Sequence, residues 1–388
     1  MKKKIVILGS TGSIGKTFLN ILKFDKKNNE IVLLTANKNI HQLLKQINIF
    51  KVRNIIVTNK IHYLIIKNRL KNKKINIYND FSSLKKILKT NKVDYTLNAI
   101  SGLDGLRPTI EIVKFTKKIC IANKESIICG WNLIKNQLTK YKTEFIPVDS
   151  EHFSIWSLVN NIKNKDIEKV FLTASGGPFN NYPLKKFKNI NIAQALKHPN
   201  WKMGKKITID SSTLMNKVFE IIEAKKIFNY SYDKLHILVH PKSYVHAIVK
   251  FKNGLTKVLI HDTNMKIPIF NSFYSNFEKN IKTKKLDFDV LNNLNFKKVD
   301  IIKFPVIKIL KKIPNKESLF ETVIVSVNDH LVNMFLEKRI SFQDISKYLL
   351  KITNMSEFKK YKKLSPRNVE EIEKLNHYVS LNITALCV

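Results

Sequence analysis

The chain has 388 residues, is 44% apolar and carries a formal charge of +39. That length suits two or three domains, each able to bury a core, and no apolar run is long enough to span a bilayer. Cys120, Cys129 and Cys387 make neither a disulfide framework nor a metal-binding spacing, which suits a reduced compartment and a cytoplasmic protein.

The positive excess is nearly all lysine, because arginine stands only at 53, 69, 107, 339 and 367. Nucleic-acid recognition usually recruits arginine for its bidentate fork. The lysines are spread along the whole chain among many Asn and Ile, all with AT-rich codons. This reads as codon bias on solvated surfaces, so neither a nucleic-acid nor a membrane partner is expected. A basic nucleic-acid-binding protein remains a distant alternative, and a positive field would still attract an anionic substrate. The apolar run after Met1-Lys2-Lys3-Lys4 stops at Gly9, too soon for a signal peptide.

Residues 3–8 read as a buried strand, and Gly9-Ser10-Thr11-Gly12-Ser13-Ile14-Gly15 follows, opening a helix to about residue 23. Strand, glycine loop and helix N-terminus together make a pyrophosphate cradle, although the spacing is a variant of the dinucleotide fingerprint. A bare glycine-rich turn is the plainer reading. The second strand, residues 30–35, ends in Ala36-Asn37-Lys38-Asn39. An NAD-preferring domain places a carboxylate there; a cation between two amides favours the 2′-phosphate of NADP.

Strands at 54–58 and 95–99 alternate with helical patterns at 41–50, 63–70 and 81–90, a βαβ rhythm that predicts a doubly wound parallel sheet. Residues 118–122 form a further strand, followed by Asn123-Lys124-Glu125-Ser126. Lys124 then sits at the strands' C-terminal edge, where cofactor and substrate would meet; as a surface lysine it would be unremarkable. The strand at 144–148 delivers Asp149 and Glu151 to the same edge, sharing one side if it runs on into a turn.

A strand from residue 170 leads into Ala174-Ser175-Gly176-Gly177-Pro178, a loop able to hold a phosphate. The polar segment 179–206 carries His198-Pro199-Asn200-Trp201-Lys202-Met203-Gly204. It reads equally as a lid, capped by Trp201 and Met203 with His198 as polar contact, or as a packed loop. In a helix over 210–220, Asn216 and Glu220 share a face with Lys217 beside them. Asp149, Glu151 and Glu220 converging without matching cations would repel, and a hard divalent metal is the usual remedy. Taken singly, Asp149 fits a helix cap and Glu220 a solvated face.

His240 and His246 lack a second ligand at metal spacing and read as structural or dimer-interface residues. Residues 245–250 and 256–261 form a hairpin about Asn253-Gly254, whose exposed edge suits a dimer. The Lys/Asn-rich stretch 271–300 reads as a linker, and 304–310, 319–337, 341–353 and 368–384 as packing helices.

Taken in order, Gly9–Gly15, Asn123–Ser126, 148–152, 175–179, 198–204 and 210–220 resemble the 1-deoxy-D-xylulose 5-phosphate reductoisomerase family, over residues 4 to about 345. The resemblance implies an α/β fold: a Rossmann-type NADPH domain (1–149), a central α+β catalytic and dimerisation domain (150–275), a linker (276–300) and a C-terminal helical bundle (301–388), paired as a V-shaped homodimer. It implies an NADPH-dependent oxidoreductase that rearranges 1-deoxy-D-xylulose 5-phosphate and reduces it to 2-C-methyl-D-erythritol 4-phosphate, in non-mevalonate isoprenoid biosynthesis. Matched position by position, Asp149, Glu151 and Glu220 are implied ligands of Mg²⁺ or Mn²⁺, with Co²⁺ an alternative. Lys124, Ser150, Ser175, His198, Ser211, Asn216 and Lys217 are implied substrate contacts. Thr11, Gly12, Ser13, Ile14, Asn37, Lys38, Asn39, Asn123, Glu125 and Gly204 are implied NADPH contacts.

Four positions depart from the family pattern: Asn37 for Gly, Ala174 for a Gly found in some relatives, Val218 for Gly, and Asn328-Asp329 for Asn-Glu. Asn37 tolerates the left-handed backbone a glycine would supply there. No proposed ligand is lost, so the expectation is an active enzyme with at most a reduced rate. Another NADP oxidoreductase of a small hydroxy or keto acid is the nearest alternative; it would need neither three carboxylates nor the anion site.

Overall fold

The computed structural model describes residues 1–89, 92–274 and 279–386; Cys387, the end of the helical pattern at Thr90 and linker residues 275–278 lie outside them. Seven apolar runs form one sheet: β1 (Lys3–Leu8), β2 (Asn29–Ala36), β3 (Asn54–Val57), β4 (Asn76–Tyr78), β5 (Val93–Asn98), β6 (Thr116–Ile121) and β7 (Glu144–Pro147). All are parallel, in the order β4-β3-β2-β1-β5-β6-β7. Growth of the sheet reverses beside β1, which creates the switch-point crevice at the strands' C-terminal ends. Ile5, Val6, Ile7 and Leu8 are all fully buried, the continuous apolar run of a strand covered on both faces.

The chain divides into two compact units, the first comprising Met1–Ser126, Asn132–Asp149 and Met265–Ile281. The helix Lys266–Phe273 thus belongs with the parallel sheet, although residues 271–300 read as a linker. Its Phe273 ring lies 5.2 Å from Phe18 and 4.9 Å from Tyr95, and Ser272 Oγ is 3.0 Å from the Tyr95 hydroxyl. The apolar face of that short helix is what fixes it there.

The second unit takes Ile127–Trp131, Ser150–Asn264 and the chain from Lys282 onward. Its sheet contains β8 (Ile167–Ala174), β9 (Leu235–Val239), β10 (Val245–Phe251), β11 (Thr256–Ile260) and β12 (Lys297–Lys298), ordered β11-β10-β8-β9-β12. Only β8 and β9 run parallel. The expected hairpin is β10–β11, turning at Gly254 with φ +89°. Val170 and Leu172 of β8 and Ala247 and Val249 of β10 pack with Ile155, Ile221 and Ala224 from the helices Ser150–Leu158 and Met215–Phe228. One buried cluster therefore seats the helix that carries Ser150 and Glu151 and the helix that carries Asn216, Lys217 and Glu220. The helices Phe320–Leu336, Phe342–Ile352 and Val369–Leu386 complete the unit, whereas Pro305–Lys312 is a 3₁₀ turn, opened by a proline and followed by Pro314.

Candidate active site

In the first unit, the β1 loop needs glycine at position 9. Gly9 has φ +76°, and a Cβ there would stand 2.7 Å from the Ala99 carbonyl oxygen. The chain can then turn directly into the helix Ser13–Leu22, whose N-cap is Gly12 and whose first turn has no side-chain cap. Thr11, Gly12, Ser13 and Ile14 make up this turn, with uncapped main-chain N–H groups at the β1 edge. Asn37, Lys38 and Asn39 form an exposed turn after β2. Asn39 caps the helix Ile40–Phe50 by accepting from Gln42 N. Asn37 is not left-handed as expected; its amide donates to Thr58 Oγ1 at 2.8 Å, and that bond shapes the turn instead.

Asn123 caps the helix Lys124–Tyr141, accepting from Ser126 N at 2.6 Å and donating to the carbonyls of Ile100 and Gly102. Its side chain is thereby committed to holding the β5 and β6 loops together. The cap places Lys124 and Glu125, both 8% exposed, in the first helical turn. Lys124 Nζ lies 2.9 Å from Asp149 Oδ2.

In the second unit, Glu151 occupies the first turn of Ser150–Leu158, so the chain has already left the strand. The shared-side argument for Asp149 and Glu151 therefore fails; a helix start, not strand pleating, orients Glu151. Ser150 Oγ donates to Glu151 Oε2 at 2.5 Å. The predicted helix over 210–220 is two helices, Lys205–Thr213 and Met215–Phe228, broken at Leu214 with φ +64°. Ser211 lies in the last turn of one helix, while Asn216, Lys217 and Glu220 lie in the first two turns of the next. Non-glycine residues in this conformation store about 1–2 kcal/mol, which the buried surroundings must hold.

Lys217 Nζ lies 2.7 Å from Glu151 Oε1 and also contacts Glu220 Oε2. Asn216 donates to Glu220 Oε1. Burial alone would lower the Lys217 pKa, but Glu151 and Glu220 together outweigh it, and the shift is upward. Lys217 is therefore a firmly held cation. Behind it, His152 Nε2 is 2.9 Å from the Glu220 carbonyl oxygen and fixes the helix turn that presents Glu220.

The loop after β8 approaches Ser211 through Gly177, where φ is +63° and a Cβ would stand 2.9 Å from the Ser211 carbonyl oxygen. Ser175 Oγ accepts from Gly177 N at 3.0 Å and lies 3.1 Å from His198 Nε2. His198 Nδ1 accepts from the N–H groups of Asn200 and Trp201 at 3.1 and 2.9 Å. A neutral ring must then carry its proton on Nε2, pointing at Ser175. Burial pushes the His198 pKa down to about 4. The 197–204 segment is tethered as well: Asn200 Nδ2 donates to Pro241 O at 2.7 Å and Ser243 Oγ at 2.9 Å, and Trp201 stands edge-on to His246. Met203 is half-buried, and Gly204 is the exposed N-cap of Lys205–Thr213. His240 and His246 are buried and face main-chain carbonyls of Asn295 and His261, as structural residues do.

One cluster was not foreseen. Asp210, 1% exposed, meets Lys206 Nζ at 2.9 Å and accepts from Asn328 Nδ2 at 2.7 Å; Lys206 also meets Asp329 at 2.9 Å. The i,i+4 pair Lys206–Asp210 was readable, but Asn328, on Phe320–Leu336, lies 118 residues away from Asp210, with Asp329 next to it.

Comparison with known proteins bears directly on this arrangement. A model described as 1-deoxy-D-xylulose 5-phosphate reductoisomerase matches residues 5–130, and models of its C-terminal domain match residues 145–228 and 261–379. The reductoisomerase of Pelagibacter ubique (strain HTCC1062) is 62% identical over 387 residues, covering 100% of both chains. The chain belongs to the 1-deoxy-D-xylulose 5-phosphate reductoisomerase family. The Sulfurihydrogenibium sp. (strain YO3AOP1) reductoisomerase is 38% identical, with 92% of each chain covered. Among solved structures, the reductoisomerase from Zymomonas mobilis in complex with NADPH superposes with a TM-score of 0.89 at 27% identity, covering 100% of this chain and 99% of that one. Another reductoisomerase, in complex with NADPH, fosmidomycin and magnesium, gives 0.90 at 27% identity, covering 99% and 98%.

Proposed function

We propose that the residues around Glu151, Lys217 and Glu220 carry the family's reaction: NADPH- and divalent-metal-dependent isomerisation and reduction of 1-deoxy-D-xylulose 5-phosphate to 2-C-methyl-D-erythritol 4-phosphate. The observation that supports it most is the sharing of one buried ammonium, that of Lys217, by the Glu151 and Glu220 carboxylates. Two acidic groups held on one cation, with Asp149 two residues upstream in the chain, make a hard oxygen donor set. That chemistry fits Mg²⁺ or Mn²⁺, and we assign Asp149, Glu151 and Glu220 as the ligands. When bound, the metal polarises the substrate's carbonyl oxygen and NADPH supplies hydride.

The chain's own groups do the rest. Ser175, with its Oγ already accepting two hydrogen bonds, donates its O–H to the substrate phosphate. Ser211, Asn216 and Lys217 flank that phosphate, and His198 fixes Ser175 as a donor. Lys124 offsets the charge of Asp149, and Ser150 orients Glu151. The 198–204 loop, with Trp201 and Met203, excludes water. Thr11 to Ile14 hold the NADPH pyrophosphate at the helix N-terminus, and Lys38 with Asn37 and Asn39 takes the 2′-phosphate. Glu125 and Gly204, with the main chain at Asn123, serve the same cofactor.

We assign residues 1–149 to NADPH binding, with the helix Lys266–Phe273 as part of that unit's support, the rest of 150–275 to chemistry and dimerisation, 276–300 to a linker and 301–388 to support. The free edge of β11, with Val258 and nearby Leu255 exposed, supports a homodimer. A mass in solution equal to one 45.2 kDa chain would refute that pairing. No helix among the described residues is long and apolar enough to cross a membrane. Phosphorylated sugars and nicotinamide cofactors are retained inside cells, so the cytoplasm is the assigned compartment. Glu220→Gln tests the ligand assignment: turnover and Mn²⁺ affinity are lost while the circular dichroism spectrum is kept. Near-normal affinity would refute it.

A further inference from the structure

Lys217 contacts the same two carboxylates to which the metal is assigned. Three of these carboxylate oxygens accept hydrogen bonds, Glu151 Oε2 from Ser150, Glu151 Oε1 from Lys217 and Glu220 Oε1 from Asn216, and Glu220 Oε2 is ion-paired with Lys217. The Lys217 side chain is 4% exposed and that of Glu220 2%, so water screens little between them. A dication on these oxygens would stand within about 5 Å of the ammonium, since metal–oxygen bonds of this type are about 2.0–2.6 Å. Like charges so close in a poorly screened site repel strongly.

We propose that Lys217 is an exchangeable counter-ion: it neutralises Glu151 and Glu220 before metal enters, and moves to the substrate phosphate once metal takes its place. The inference rests on the reading that Glu151 and Glu220 hold the metal. Geometry supports the exchange. Lys217 opens the helix Met215–Phe228 and sits one residue after Asn216, while the Ser175 loop touches Ser211 on the preceding helix through Gly177. A flexible four-carbon stem can swing an ammonium several ångströms without moving the helix once its carboxylate partners are taken by another cation. One lysine then links two binding events. Metal binding releases a cation for the anion site, and an anion draws away the cation that opposes the metal. Linkage requires the effect to be reciprocal.

Calorimetric titration of Mn²⁺ into the protein without substrate or cofactor tests this, with sulfate as a non-chelating stand-in for the phosphoryl group. In the wild type, saturating sulfate is expected to tighten Mn²⁺ binding at least about fivefold. Lys217→Met is expected to bind Mn²⁺ at least about tenfold tighter than the wild type and to lose the sulfate effect. Its thermal midpoint should also rise more on Mn²⁺ addition than that of the wild type. Equal or weaker Mn²⁺ binding by Lys217→Met, or a wild type indifferent to sulfate, overturns the proposal; the wild-type titration decides if the variant does not fold. Glu220→Gln run alongside separates the two readings. If it keeps its Mn²⁺ affinity, the ligand assignment falls and the exchange with it; if it loses affinity while Lys217→Met matches the wild type, only the exchange falls.

Discussion

His198 Nε2 faces Ser175 Oγ at 3.1 Å, and the ring's other nitrogen is taken up by two main-chain N–H groups. Protonating Nδ1 would set a third donor against those two. Geometry and burial thus act in one direction, and the ring is held neutral down to about pH 4.

Two outcomes follow for the free protein. In a nitrogen-resolved NMR titration, His198 shows the Nε2–H tautomer and titrates near 4 rather than at the ordinary 6.5. Between those pH values the unfolded chain takes up a proton that the folded chain does not. His198 therefore contributes stability that is complete above pH 6.5 and is progressively lost as pH falls towards 4. Titration near 6.5 would contradict this account of the loop.

Lys38 is an exposed cation in the turn after β2, and no carboxylate stands beside it at positions 37 or 39. Lys38→Glu is expected to raise the KM for NADPH by about tenfold or more while changing that for NADH much less, since a charge-assisted phosphate contact is replaced by repulsion. Equal effects on the two cofactors would remove Lys38 from 2′-phosphate recognition.

Asp210 joins Lys206 on its own helix to Asn328 on Phe320–Leu336. Asp210→Ala removes the acceptor of the Asn328 amide and one of the carboxylates that meet Lys206. The expected loss is about 3 kcal/mol, in the range for breaking one side of a buried charged network. Calorimetry should show a lower thermal midpoint, and a midpoint within about a degree of the wild type would show the cluster to be slack.

Much of this was readable because local patterns and tertiary structure agree. The parallel sheet follows from alternating apolar runs and helix signals, and the β10–β11 hairpin from Asn253-Gly254. Three features were hidden for physical reasons. Leu214 carries no breaker signal, yet burial holds it left-handed and splits the helix that presents Ser211 from the one that presents Lys217. The helix Lys266–Phe273 looks like the start of a linker because its partners Phe18 and Tyr95 are remote in the chain. Asn37 looked like a substitute for a left-handed glycine; its hydrogen bond to Thr58 makes a different turn. Local residue types report local conformation, whereas these three are set by contacts across the fold.

The central claim is that the carboxylates sharing Lys217 hold a metal on which NADPH-dependent turnover of 1-deoxy-D-xylulose 5-phosphate depends. The direct measurement is NADPH oxidation, followed by the absorbance of the reduced nicotinamide, with that substrate in protein stripped by chelator and then reloaded. Turnover absent after stripping and restored by Mg²⁺ or Mn²⁺ is the predicted result. Oxidation that continues unchanged without metal, or none once metal is restored, would contradict it.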